Sequence, residues 1–103
     1  MADVSLTAMT VAELAERIKA RDVSPIDVAE AFIERTAATE PRLNAWITHL
    51  PNQARAAAKR AEADIAAGNY KGPLHGIPVG LKDLFWTKGV RTTSGSAITK
   101  DFV

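Results

Sequence analysis

Cysteine is absent from all 103 residues, which excludes disulfides, thiolate nucleophiles and Cys-ligated metal and fits a reducing compartment. An excess charge of either sign is absent as well. Thirteen Lys and Arg stand against twelve Asp and Glu, a net +1, so nothing steers the chain toward nucleic acid or an anionic membrane surface. No apolar run approaches the ~20 residues that span a bilayer. The start, Met-Ala-Asp-Val-Ser-Leu-Thr-Ala-Met, lacks a basic region followed by a long apolar one, so it does not read as a secretory signal. These absences predict a soluble, cytoplasmic chain. Aromatic residues make up only 6%, with two Trp, too few for a base-stacking platform. Trp46 and Trp86 read as packing residues.

Apolar residues are plentiful, at 47%, but many are alanine. Alanine buries little area, so the predicted core is thin. The length suits one small domain. Thr10-Val11-Ala12-Glu13 is a capping box that opens a helix, and Val11, Leu14, Ala15 and Ile18 form its apolar stripe to about Ala20. Ser24-Pro25-Ile26-Asp27 opens a second, with Ser as N-cap and Pro at the first position. That helix is expected to bury Ile26, Ala29, Phe32 and Ile33, to run to about Thr39, and to stop before Pro41. Asn44-Ala45-Trp46-Ile47-Thr48-His49 is aromatic and β-branched and predicts a strand. Pro51 begins a third helix, Asn52 to about Ala67, with a face of Ala54, Ala57, Ala58, Ala61 and Ile65 and a C-cap at Gly68-Asn69. Arg55, Lys59, Arg60, Glu62 and Asp64, opposite that face, read as a solvated surface with local ion pairs.

After Gly72-Pro73 the period changes to two. Ile77, Val79 and Leu81 alternate with Pro78, Gly80 and Lys82, which predicts a strand over 76–83 whose apolar side faces a core. Lys82 stands on the other side, next to the bare backbone of Gly80. Burial lowers a lysine's pKa by disfavouring its charged form, so a lysine there is a candidate general base. The plainer alternative is a strand-end lysine that pairs with Asp83 or extends to water. Asp83 can position Lys82 or accept a loop amide, and the amide is the preferred reading because strand neighbours face opposite ways.

His75 has no second His, Asp or Glu at ligand spacing and is expected to make a turn hydrogen bond; His49 reads the same way. Ser94 and Ser96 lack a G-x-S-x-G elbow, and with Thr92 and Thr93 they read as loop hydroxyls around a tight Gly95 turn. Gly72, Gly76 and Gly80 do not make a phosphate-binding loop, because the predicted strand follows them and no G-K-[ST] is present. The chain stops at Lys100-Asp101-Phe102-Val103 in a rising apolar run, an ending that reads as cut.

The stretch Gly72-Pro73-Leu74-His75-Gly76-Ile77-Pro78-Val79-Gly80-Leu81-Lys82-Asp83 resembles the first motif of the amidase signature family almost residue for residue. Thr92-Thr93-Ser94-Gly95-Ser96 resembles the T-x-x-G-S turn that follows it, and the helices upstream match the family's N-terminal layout more loosely. The resemblance implies an α/β fold: N-terminal helices and the first strands of a mixed sheet, in a domain of which only part is here. On that reading 1–40 is helical, 44–68 is a strand and a helix, 76–83 carries the lysine and 91–96 is the Thr/Ser/Gly loop. It also implies that Lys82 is the base of a Ser–cis-Ser–Lys triad, with Gly76, Pro78, Gly80, Asp83, Gly95 and Ser96 supporting the site. Both serines of such a triad lie in a Gly/Ser-rich segment that these 103 residues lack, so the chain alone is expected to be inactive. No cofactor and no metal are implied.

The implied substrate of the complete enzyme is a small-molecule amide, with no direct nucleic-acid or membrane partner. A homodimer or a partner subunit stays open. A free-standing amidase is slightly preferred over the amidase subunit of a tRNA-dependent amidotransferase; both groups share the lysine motif, so it does not separate them, and co-purification with a tRNA-binding subunit would. A non-enzymatic module of alanine-faced helices is the alternative from another class.

Overall fold

The computed structural model describes residues 4–103. A 3-10 helix, Val4–Ala8, leads into α1 (Val11–Lys19), α2 (Pro25–Leu43) and α3 (Pro51–Ala66). The remainder, 67–103, is turns and irregular backbone. The expected α/β class is therefore corrected: among the described residues there is no strand and no sheet, neither at 44–49 nor at 76–83.

The helices start where their caps direct. Thr10 Oγ1 accepts the Glu13 amide at 3.1 Å, and Ser24 Oγ accepts the Ile26 amide at 3.0 Å, each satisfying a donor that a helix N-terminus leaves open. Gly68, at φ +88°, closes α3. Its amide bonds to Ile65 O, and the Asn69 amide reaches back to Asp64 O at 2.8 Å, the paired bonds of a Schellman ending. α2 does not stop before Pro41 but runs through it to Leu43. So close to the C-terminus, proline removes one amide donor without breaking a long helix. The stop comes at Asn44, which turns into the left-handed region while its amide bonds to Glu40 O.

Leu6, Leu14, Ile18, Val28, Ala31 and Ile65 form the core, with Met9, Val23, Phe32, Tyr70 and Ile77 packed against it. On α1 the expected stripe is buried except for Val11, which is exposed. α2 is rotated from the expected face. It buries Val28, Ala29 and Ala31, while Ile26, Phe32 and Ile33 are half-buried. The reason is that α2 packs on both the 3-10 helix and α3, so its small residues sit at the closest approach and its large ones at the flanks. On α3 the buried seam is narrower than expected, Ala58, Ala61 and Ile65. The chain exposes 7260 Å², against about 5,600 Å² for a compact protein of this mass. Among the described residues no helix is long and apolar enough to cross a membrane.

Candidate functional site

The motif at 72–83 reaches the helices through its glycines. Gly76 has φ +84°, and a Cβ there would lie 2.8 Å from Pro25 Cγ and 3.7 Å from Ile18 Cγ2. Only a residue without a side chain lets this turn rest on the start of α2. Ile77 then enters the core. Beyond it, Val79 and Leu81 are exposed, so the expectation that alternate residues pin this segment to a core holds for Ile77 alone. A strand needs a neighbour for its amides and carbonyls. None lies alongside among the described residues, and Pro78, half-buried, has no amide to offer.

Gly80 is the second point of close approach. A Cβ there would lie 2.9 Å from Trp46 Cη2, so the indole occupies the space that the glycine leaves. The segment carrying Trp46 leaves α2 in an irregular path, because the Glu40 carboxylate accepts the amides of Ala45 at 2.6 Å and Trp46 at 2.8 Å. Those amides are the donors that a strand at 44–49 would have needed. His49 is thus not on a strand; its ring lies 6.0 Å from that of Trp46.

Lys82 follows, with its side chain exposed. Its carbonyl accepts the amides of Leu84 at 2.7 Å and Phe85 at 3.2 Å, which closes a tight turn after it. Asp83 is bonded away from the lysine. Its Oδ1 accepts the Thr93 amide at 2.8 Å, its Oδ2 accepts the Thr93 hydroxyl, and its carbonyl accepts the Ser94 amide at 2.9 Å. The Thr93 hydroxyl holds the Asp83 carboxyl below its ordinary value, the Thr93 amide adds to this, and partial desolvation opposes both. The Gly95 amide and the charge of Arg91 lower it further. The expected loop-amide bond is what forms.

The loop that receives Asp83 is tightly connected. Thr92 and Thr93 are buried, at 4% and 6% exposure, and are the polar side chains most enclosed among the described residues. The Thr93 hydroxyl also accepts the Gly95 amide at 3.2 Å, and the Thr93 carbonyl accepts the Ser96 amide and the Thr99 hydroxyl. The Thr92 hydroxyl donates to Phe85 O at 3.2 Å, and its amide donates to Phe102 O at 2.9 Å. Gly95 has φ +70°, and Ser96 Oγ accepts the Ile98 amide at 3.2 Å. Arg91 ties this loop to Lys100 O at 3.0 Å and to Ile47 O at 3.4 Å. Reading these threonines as plain loop hydroxyls missed their burial. The available signal was a pair of β-branched hydroxyls before a glycine turn, with an unpaired aspartate upstream.

Two other expectations settle differently. His75 makes the turn bond: its Nδ1 accepts the Lys71 amide at 3.0 Å, and its ring lies near Tyr70 and 3.9 Å from Asp64. Trp86 is not a packing residue in this chain. It is 80% exposed and touches Phe102 at its edge, with ring centroids 5.2 Å apart. Among the described residues no group of three or more His, Asp or Glu could hold a metal ion.

The structure thus gathers Asp83, Gly95 and Ser96 with Thr92 and Thr93 around the turn after Lys82. It places Gly76 and Gly80 as the contacts that carry the motif. No solved structure matches this chain. Among sequences, the chain is 47% identical to a glutamyl-tRNA(Gln) amidotransferase subunit of Geobacter sp. (strain M21) over 92% of its length. It is 47% identical to an amidase of Pseudomonas putida over 89%, and 49% identical to the corresponding glutamyl-tRNA(Gln) amidotransferase subunit of Sphingopyxis alaskensis over 95%. It spans only about a fifth of the length of these relatives, 19%, 20% and 20% respectively. The amidase family profile matches residues 27–103, a span that takes in all but the first two residues of α2, α3, the lysine motif and the threonine loop, and the chain belongs to that family.

Proposed function

We propose that this chain is the lysine-bearing part of an amide hydrolase working by a Ser–cis-Ser–Lys mechanism, with Lys82 as the general base. The observation that carries the reading is the amidase match across the lysine motif. Two features of the geometry support it. Lys82 is exposed, two residues after the Gly80 contact with Trp46, and its neighbouring carboxylate is bonded to Thr93 and not to it. A lysine takes a proton from a serine only as the neutral amine, the form that burial favours, and that serine in turn activates a second serine to attack an amide carbonyl. Both serines lie outside these 103 residues, so the chain alone has the base without the nucleophile. In the full-length protein, Lys82→Ala is expected to lower kcat on a simple amide by about 10²–10⁴-fold. The isolated 103-residue chain is expected to show no turnover. Turnover by the isolated chain, or an unimpaired Lys82→Ala enzyme, overturns the reading.

A second reading is that the protein is the amidase subunit of a tRNA-dependent amidotransferase, releasing ammonia from glutamine for a partner subunit. Relatives bearing that name are as similar to the chain as the amidase is. Purification of the protein at its natural expression level separates the two. A free-standing amidase emerges alone and hydrolyses simple amides, whereas an amidotransferase subunit brings a tRNA-binding partner and acts on glutamine.

A further inference from the structure

Among the described residues the backbone around Lys82 has no ladder to hold it, yet a general base must be placed to within a fraction of an ångström to work. On its N-terminal side the chain is held by Gly80 against Trp46. On its C-terminal side the hold is Asp83, which receives three bonds from two consecutive residues: the amide and hydroxyl of Thr93 and the amide of Ser94. Thr93 is itself fixed. It is buried, its hydroxyl is shared with the Gly95 amide, and its carbonyl takes two further donors. A carboxylate with both oxygens engaged by one rigid residue has little rotational freedom. Because Asp83 is bonded directly to Lys82 in the chain, holding Asp83 fixes the backbone from which the lysine side chain starts.

We infer that Asp83 is a positioning residue: locked to Thr93, it sets where Lys82 stands without touching the substrate. The inference rests on the reading of Lys82 as the base. Asp83 accepts bonds from the loop and has no proton to give at neutral pH, so its effect is on geometry and is transmitted through one peptide unit. The turn Leu84–Phe85, bonded to the Lys82 carbonyl and tied by Phe85 O to Thr92, braces the same peptide from the other side.

The test is a mutant cycle in the full-length enzyme, reading kcat and KM on a simple amide with melting curves alongside. Asp83→Asn keeps the shape but removes the charge and one acceptor; Thr93→Val removes the hydroxyl. Each is expected to lower kcat about tenfold to a hundredfold, the size of effect that a misplacement of about 1 Å produces, with KM within about twofold. Thr93→Ser is expected to recover most of what Thr93→Val loses. In a Lys82→Ala background, Asp83→Asn is expected to have no further effect on the residual rate, because there is no lysine left to position. An equal loss in both backgrounds would make Asp83 merely structural and overturn the inference. So would kcat unchanged in both single variants while Lys82→Ala is inactive, a result that leaves the base assignment standing. An active Lys82→Ala enzyme overturns the base assignment and the inference together. If Asp83→Asn melts below the assay temperature, Thr93→Val carries the cycle; if both do, the lock serves stability and the inference fails.

Discussion

At the scale of single residues, Asp83 ties the lysine motif to the threonine loop through charge as well as shape. Its carboxyl is held below the ordinary value, chiefly by the Thr93 hydroxyl. A group whose folded-state pKa is depressed stabilises the fold fully above its unfolded value, about 3.9 for aspartate, and loses that contribution as pH falls through the folded value. The stability gap between the wild type and Asp83→Asn should therefore be constant from neutrality down to about pH 4 and close below it. Urea melts between pH 3 and 7 measure this; a gap independent of pH would show that shape alone holds the loop. The loop-amide partner of Asp83 was legible because neighbours on an extended chain point apart. That Thr93 would be the partner was not, since the contact joins residues ten apart across two turns.

At the scale of elements, the exit from α2 shows how a helix end can decide the fate of the next segment. Glu40 serves twice: its carbonyl accepts the Asn44 amide, and its carboxylate accepts the amides of Ala45 and Trp46. The segment 44–49 has β-branched and aromatic residues that favour a strand, but propensity is weak where the backbone donors are already engaged. Glu40→Ala should remove about 1–3 kcal/mol, the net worth of two hydrogen bonds, with little effect elsewhere. Hydrogen exchange reads it directly, as faster exchange at Ala45 and Trp46 with the amides of α1 unchanged. Unaltered exchange at those two amides would mean that water replaces the carboxylate without loss. Thr10, Ser24 and the Gly68 ending were readable in advance because each cap acts within a turn of its own helix.

At the scale of the whole molecule, the chain is a platform of α1, α2 and α3 carrying an irregular, half-exposed arm. Few large side chains hold the platform together: Leu6, Leu14, Ile18 and Val28 are the largest that are fully buried among the described residues. Removing one should be severe. Leu14→Ala is expected to cost about 2–5 kcal/mol, a large part of the roughly 5–15 kcal/mol of a typical domain. Circular dichroism should show the helices melting well below the wild type. A fall of only a degree or two would mean that the platform draws its stability from elsewhere. The arm exposes Leu74, Val79, Leu81, Leu84, Phe85 and Trp86, which is why the surface exceeds that of a compact chain of the same mass. The radius of gyration, 15.0 Å, against about 13 Å for a compact chain of this length, says the same.

The sequence by itself determined what depends on neighbours a few residues away: three helices with their starts and the Schellman ending, the thin alanine core, the turn bond of His75, and the lysine motif that marks the family. Helical hydrogen bonds and caps close within one turn, so their residues lie together in the chain. Tertiary structure alone decided which side of α2 turns inward, because that depends on what packs on either side of it. It decided that 44–49 and 76–83 are not strands, because a strand exists only beside another. It also placed Trp46 in the gap at Gly80, Arg91 on Ile47, 44 residues away, and Asp83 on Thr93. Each of these contacts joins separate segments, and no local pattern encodes a partner that folding must first bring near.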